Sequence, residues 1–168
     1  MDETSSYVGI SREYAWAHSS ERVVDKKPKG KKQRVSLIAA CSLSGSTAEQ
    51  ALVVPDSVDK NAFLGYLEYS LLPTLESGTV IILDNWRVHY GDDVTELVEA
   101  AGCELLYLPT YSPDFNPIEH LFAKVKAFIK SLRPDSIQDL TQAFCDAVKT
   151  ITADNVKNAF EHCGYSAQ

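Results

Sequence analysis

Four consecutive apolar residues, Val80-Ile81-Ile82-Leu83, stand between Gly78 and Asp84, and a second apolar run at 103–108 (CELLYL) follows a helical segment, 92–101, closed by Gly102. A continuous apolar run of this length, bounded by turn residues, is the pattern of a central strand covered on both faces. Two such strands joined through a helix have the spacing of a parallel crossover, since parallel neighbours need about a dozen connecting residues. This unit constrains the chain most. It demands an α/β sheet and sets Asp84 at the carboxyl end of a strand, where sheets of that kind tend to form ligand sites.

Around it the periodicities change. Residues 7–18 (YVGISREYAWAH) and 34–43 (RVSLIAACSL) read as antiparallel strands, and 46–54 (STAEQALVV) continues the sheet up to Pro55-Asp56-Ser57. From Asp59, a candidate N-cap, to Leu75 the apolar residues recur at helical spacing. Asn116 can cap a helix that starts at Pro117 and carries an apolar stripe, Ile118, Leu121, Phe122, Val125, Ile129 and Leu132, at 3.6 periodicity, ending at Pro134. Two more helices are expected over 136–151 and 153–162, the last stopped by Gly164. The order is strands, then a βαβ unit, then helices, which fits a mixed sheet flanked by helices in one domain.

The 168 residues suffice for a core that hides roughly 70% of the unfolded surface. With 45% hydrophobic and 23% charged residues the composition is that of a folded protein. No run approaches the roughly 20 apolar residues of a membrane helix, and residues 1–20 lack the order of a secretory signal, so an intracellular protein is expected. Cys41, Cys103, Cys145 and Cys163 form no CxxC pair, and they read as reduced, mostly buried thiols. The net charge of −7 argues against a general nucleic-acid coat protein. Yet 22–34 (RVVDKKPKGKKQR) carries seven Lys or Arg against one Asp. That run reads either as a solvated loop or as a flexible loop whose Lys26, Lys27, Lys29, Lys31, Lys32 and Arg34 touch a DNA backbone without reading sequence.

Three acids on separate elements carry the candidate chemistry: Asp2, Asp84 at the strand end, and Glu119 on the first turn of the Pro117 helix. Hard divalent ions take oxygen ligands and need few protein side chains, because waters and substrate phosphates complete the shell. Each acid also has a plain structural reading. Asn116-x-x-Glu119 has capping-box spacing, Asp84-Asn85 can begin a turn, and Asp2 lies at a chain end, where fraying is common. Spacing alone leaves these alternatives open.

The strings LDNWRVHY (83–90) and LLYLPTYSPDFNPIEHLFAKVKAFIK (105–130) resemble the DDE superfamily endonuclease domain of mariner-related insertion-sequence transposases. MDET at the start, YAWAH (14–18) and FEHCGY (160–165) are similar to that family as well, and YSPDFNPIE is highly specific. The resemblance covers nearly the whole chain. It implies a ribonuclease H-like mixed β-sheet flanked by helices, with a shortened first strand and without the family's N-terminal DNA-binding region. It also implies that Asp2, Asp84 and Glu119 bind two Mg²⁺ (or Mn²⁺) ions. Asn85, His89 and Asn116 are implied as groups behind the acids or against DNA, and Asn116 also reads, with Tyr111 and Ser112, as shaping the turn.

The implied activity is cleavage at transposon ends and transfer of the freed 3′-hydroxyl to target DNA. Both are in-line displacements at phosphorus that one carboxylate cluster serves. The implied partners are double-stranded DNA, as transposon ends and target, and either a second copy or a full-length transposase. The expected location is the nucleoid-containing cytoplasm of a bacterium or the nucleus of a eukaryote. Two other readings remain at this stage: a catalytically inactive remnant that binds DNA or a transposase, and a more general ribonuclease H-like nuclease.

Overall fold

The computed structural model describes residues 1–10, 16–24, 33–43, 50–110 and 112–165. Strands β1 (Asp2–Tyr7), β2 (Arg34–Ala39) and β3 (Ala51–Pro55) form an antiparallel sheet in the order β1-β2-β3. Strands β4 (Val80–Leu83) and β5 (Glu104–Tyr107) form a parallel pair across helix α2 (Asp92–Ala100). The two sheets meet where the Met1 amino group donates to the Ile82 carbonyl at 2.8 Å. Asp2 and the end of β4 are thereby brought side by side.

Strand β2 faces two cores because its side chains alternate. Val35, Leu37 and Ala39 pack under helices α3 (Pro117–Leu132), α4 (Ile137–Lys149) and α5 (Ala153–His162), with Phe122, Ile129 and Phe144 at the centre. Ile38 turns the other way, toward Phe63 and Tyr66 of helix α1 (Lys60–Tyr66), Ile81 and Leu83 of β4, and Val94 and Val98 of α2. Helix α1 begins as its sequence indicates: the Asp59 side chain accepts from the Ala62 N–H at 2.8 Å. Gly102, with φ +71°, lets the chain leave α2 and enter β5, and any side chain there would collide with Ser77.

Four expectations are corrected. The first strand is Asp2–Tyr7 and not 7–18, whose residues 11–15 lie outside the described residues. Its inward positions are Asp2, Thr4 and Ser6, so no apolar alternation marks it, and Gly9 at φ +78° ends it. Strand β2 stops at Ala39, and β3 begins only at Ala51. The helix expected to run to Leu75 ends at Tyr66 and gives way to a wide turn, Leu67–Leu71, then a tight one, Leu72–Thr74. Pro73 has no N–H to donate and its ring crowds the Tyr69 carbonyl, which removes regular α-helical pairing from the last turns of this segment. Finally, β4 is more open on one face than on the other: Ile81 and Leu83 are buried, whereas Val80 is 48% exposed, Ile82 is half-buried, and Leu106, opposite Ile82 on β5, is 52% exposed. An unbroken apolar run of four residues does not reveal which side a helix will cover.

Candidate active site

Strand alternation sends the first two acids of β1 to opposite sides of the sheet. Asp2 lies opposite Ala39, on the face that α3 covers, and Glu3 lies opposite Ile38, on the face of α1 and β4. Asp2 is 6% exposed. Its Oδ1 accepts from the Glu3 N–H at 2.7 Å and its Oδ2 from Asn116 Nδ2 at 2.8 Å. Burial pushes the Asp2 carboxyl up to about 7; the Glu3 N–H opposes this, and the charges of Asp84, Glu3 and Glu119 add to it.

Asp84 follows β4 directly, at its carboxyl end. His89 Nδ1 donates to Asp84 Oδ1 at 2.7 Å, and the Trp86 N–H donates to the same oxygen at 3.0 Å. Burial works to raise this carboxyl, but His89 and the Trp86 N–H override it and hold Asp84 below the ordinary carboxylate range. His89 sits on a short turn, Arg87–His89, and is completely buried. Its Nε2 lies 3.0 and 3.1 Å from the two Glu3 carboxylate oxygens, and its ring packs 4.7 Å from that of Phe63. Burial disfavours a charged imidazole, yet Asp84 and Glu3 raise His89 to about 9. At neutral pH it is a cation clasped between two carboxylates, with both ring nitrogens protonated.

Glu119 occupies the third position of α3 and is exposed. The capping box allowed by its spacing does not form, because Asn116 makes no side-chain cap and its amide is committed to Asp2. Asn85 Nδ2 donates to the Leu108 carbonyl and ties together the ends of β4 and β5.

Two adjoining cavities of about 410 and 390 Å³ share Asp2, Asp84, Trp86 and Glu119 as walls. Asn85 and Asn116 line one of them, and Arg34 lines the other. The cleft thus gathers acids from the start of β1, the end of β4 and the start of α3. Among the described residues no three His, Cys, Asp or Glu side chains close on a single point by themselves. Arg34 Nε lies 3.7 Å from Asp56, and its guanidinium lies over the Tyr7 ring at 5.9 Å. Lys26, Lys27, Lys29, Lys31 and Lys32 lie outside the described residues.

Sequence reasoning passed over Glu3 and Trp86. The Asp-Glu pair at positions 2 and 3 was a signal, since neighbours on a strand face opposite ways, but a partner 86 positions away has no local signature.

The family model described as DDE superfamily endonuclease matches residues 1–141. The chain belongs to that family. The Tcb2 transposable-element transposase of Caenorhabditis briggsae is 28% identical to this endonuclease domain over 111 residues, covering 60% of the domain and 41% of the relative. Among solved structures, the Mos1 transposase paired-end complex with left transposon end superposes with a TM-score of 0.74 at 16% identity, covering 95% of this chain and 50% of that one. The Mos1 mariner paired-end complex with Mn gives 0.70 at 15% identity, over 97% and 53% of the two chains. The fold is therefore the ribonuclease H-like fold of the Mos1 catalytic domain, and the chain spans about half the length of these relatives. No helix among the described residues is long and apolar enough to cross a membrane.

Proposed function

We propose that the chain is a transposase catalytic domain, one unit over 1–168, that cleaves DNA strands and transfers a freed 3′-hydroxyl to target DNA, using two Mg²⁺ or Mn²⁺ ions bound by Asp2, Asp84 and Glu119. One observation carries this reading: three acids from three separate elements wall a single cleft, and Asn116 serves Asp2 instead of capping its own helix. The donor set suits the ions. Every candidate ligand is a carboxylate oxygen, and burial with neighbouring negative charge leaves Asp2 short of a cation. Bound there, the ions would activate the attacking oxygen and stabilise the leaving oxygen.

The protein's own groups set the stage for that chemistry. Asn116 fixes one Asp2 oxygen, His89 and the Trp86 N–H fix one Asp84 oxygen, and Asn85 braces the two strand ends behind them. Glu119 projects from the first turn of α3 and is free to meet a ligand or a water in the cleft. The lysines of 26–32, with Arg34, would follow the phosphate backbone, and double-stranded DNA would be met as transposon ends and as target. Mos1 forms paired-end complexes, one of them with left transposon end, which supports transposon-end DNA as a partner; a second copy or a longer transposase would act beside it.

The test is strand cleavage of supercoiled DNA with Mg²⁺ or Mn²⁺ added. Cleavage should need the ion and should vanish in Asp84→Asn and Glu119→Gln. Equal cleavage by the parent and both variants would refute the assignment.

A further inference from the structure

We propose that Glu3 and His89 are a positioning pair that fixes Asp84 for metal, so that both acids of the opening Asp-Glu dipeptide serve the cleft, one directly and one through a histidine. The proposal rests on the metal-site reading above. Its basis is a continuous chain of hydrogen bonds: both Glu3 oxygens lie within 3.1 Å of His89 Nε2, and His89 Nδ1 is 2.7 Å from Asp84 Oδ1. His89 has no exposed surface, and the Glu3 side chain is 8% exposed. His89 is out of reach of DNA, and the Glu3 carboxylate, although it lines one of the two cavities, has both oxygens engaged by His89, so the pair acts on the cleft through Asp84.

The placement is hard to explain as stabilisation alone. Taking a carboxylate and an imidazolium out of water offsets much of their attraction, and apolar residues of similar volume often serve a core at least as well. Here the surroundings are already apolar, with Phe63 against the histidine ring and Leu83 fully buried nearby. What the pair does supply is orientation. Asp84 follows the last residue of β4 and its side chain is 41% exposed, so little packing restrains its carboxylate. His89 and the Trp86 N–H both donate to Oδ1, which leaves Oδ2 turned away from them.

His89 is itself steered from two sides. Glu3 is locked by the β1–β2 register opposite Ile38, and the Tyr107 hydroxyl donates to the His89 carbonyl at 2.9 Å. Outer groups of this kind orient a ligating carboxylate, and their loss typically lowers metal affinity by about 10–100-fold. The sequence of restraint runs from strand backbone to Glu3, to His89, to Asp84.

Mn²⁺ titrations of the whole chain read by electron paramagnetic resonance would test this, with Glu3→Gln, His89→Gln and the double variant beside the parent. Each single variant should bind Mn²⁺ about 10–100-fold more weakly, and the double variant should be no worse than the weaker single, since both act along one chain of hydrogen bonds. The rise in Tm produced by Mn²⁺ should shrink in step, a readout that survives if a variant is less stable without metal. In cleavage, kcat should fall with KM for DNA unchanged. A Glu3→Gln protein with the parent's Mn²⁺ affinity or its full Mn²⁺-induced rise in Tm would overturn the proposal, as would effects that simply add. Asp84→Asn and Glu119→Gln separate the two ways to fail. If they lose Mn²⁺ while Glu3→Gln keeps it, only the positioning role falls; if they also bind like the parent, the metal site itself is refuted.

Discussion

Asp2 and Asp84 wall the same cleft, and burial pushes both carboxyls in the same direction, yet one is carried up to about 7 and the other ends below the ordinary range. Asp84 is the less buried of the two, and donors then decide the sign of its shift, His89 first and the Trp86 N–H after it. His89 provides Asp84 with an internal cation at 2.7 Å, whereas among the described residues Asp2 accepts from neutral donors, the Glu3 N–H and the Asn116 amide, and is faced by other acids. The fold pairs the half-exposed acid with an internal cation and leaves the buried one faced by other acids. An acid cleft with one charge matched and one unmatched is prepared for cations, and the contrast can be tested from both ends.

The largest effect belongs to the acids themselves. Asp2→Asn, Asp84→Asn and Glu119→Gln should each reduce metal-dependent strand cleavage by at least about a thousandfold, the equivalent of several kcal/mol of lost charge stabilisation. Gel assays of DNA nicking measure it, and an Asp2→Asn protein that still cleaves would remove Asp2 from the set of metal ligands. Next comes Asn116→Ala, which releases Asp2 Oδ2 without touching a charge. It should weaken Mn²⁺ binding by about 10–100-fold, and calorimetric titration giving the parent's affinity would show that the Asn116 hydrogen bond is incidental.

A smaller effect has the opposite sign. Asp2→Asn removes an acid crowded by Asp84, Glu3 and Glu119 and should raise the Tm of the metal-free protein by about 2–4 °C, the shift that roughly 1 kcal/mol gives in a chain of this size. Differential scanning calorimetry decides it, and a lower Tm would mean that the fold itself neutralises Asp2. Smallest per residue is the basic loop. Replacing Lys26, Lys27, Lys29, Lys31 and Lys32 by Ala should weaken DNA binding for all sequences alike and flatten the salt slope by about 0.9 for each phosphate that is no longer neutralised. An unchanged slope in filter-binding titrations would show that the loop does not touch DNA.

The parts of this contrast that could be read from the chain follow physical rules. Strand β4 with Asp84 at its end, α2 with its glycine exit, the start of α3 at Pro117 and α5 over 153–162 all carry strong local signals, and the structure has them there. Strand β1 was invisible because its inward residues are polar, a pattern that only its packing against Asn116 and α3 explains. The break at Pro73 was legible in principle, but the leucines on either side kept a helical period through it. At the site, the three acids could be named from the sequence together with a family likeness. The charge that distinguishes Asp84 from Asp2 could not, because His89 and Glu3 meet only after two sheets have joined.

The six matched positions between β1 and β2 carry a further consequence. Slipping one strand past the other by a single residue exchanges the faces of a strand's side chains. In β1 that exchange would set Glu3 beneath Asn116 and turn Asp2 toward His89, giving a protein of the same composition with its cleft wired backwards. Val8 donating to Gln33 and Gly9 to Pro134, each at 2.9 Å, clamp the far end of the ladder against such a slip. The offset of Asp2 against Ala39 is therefore fixed twice, by the hydrogen bonds of the cleft at one end of β1 and by these backbone bonds just past the other.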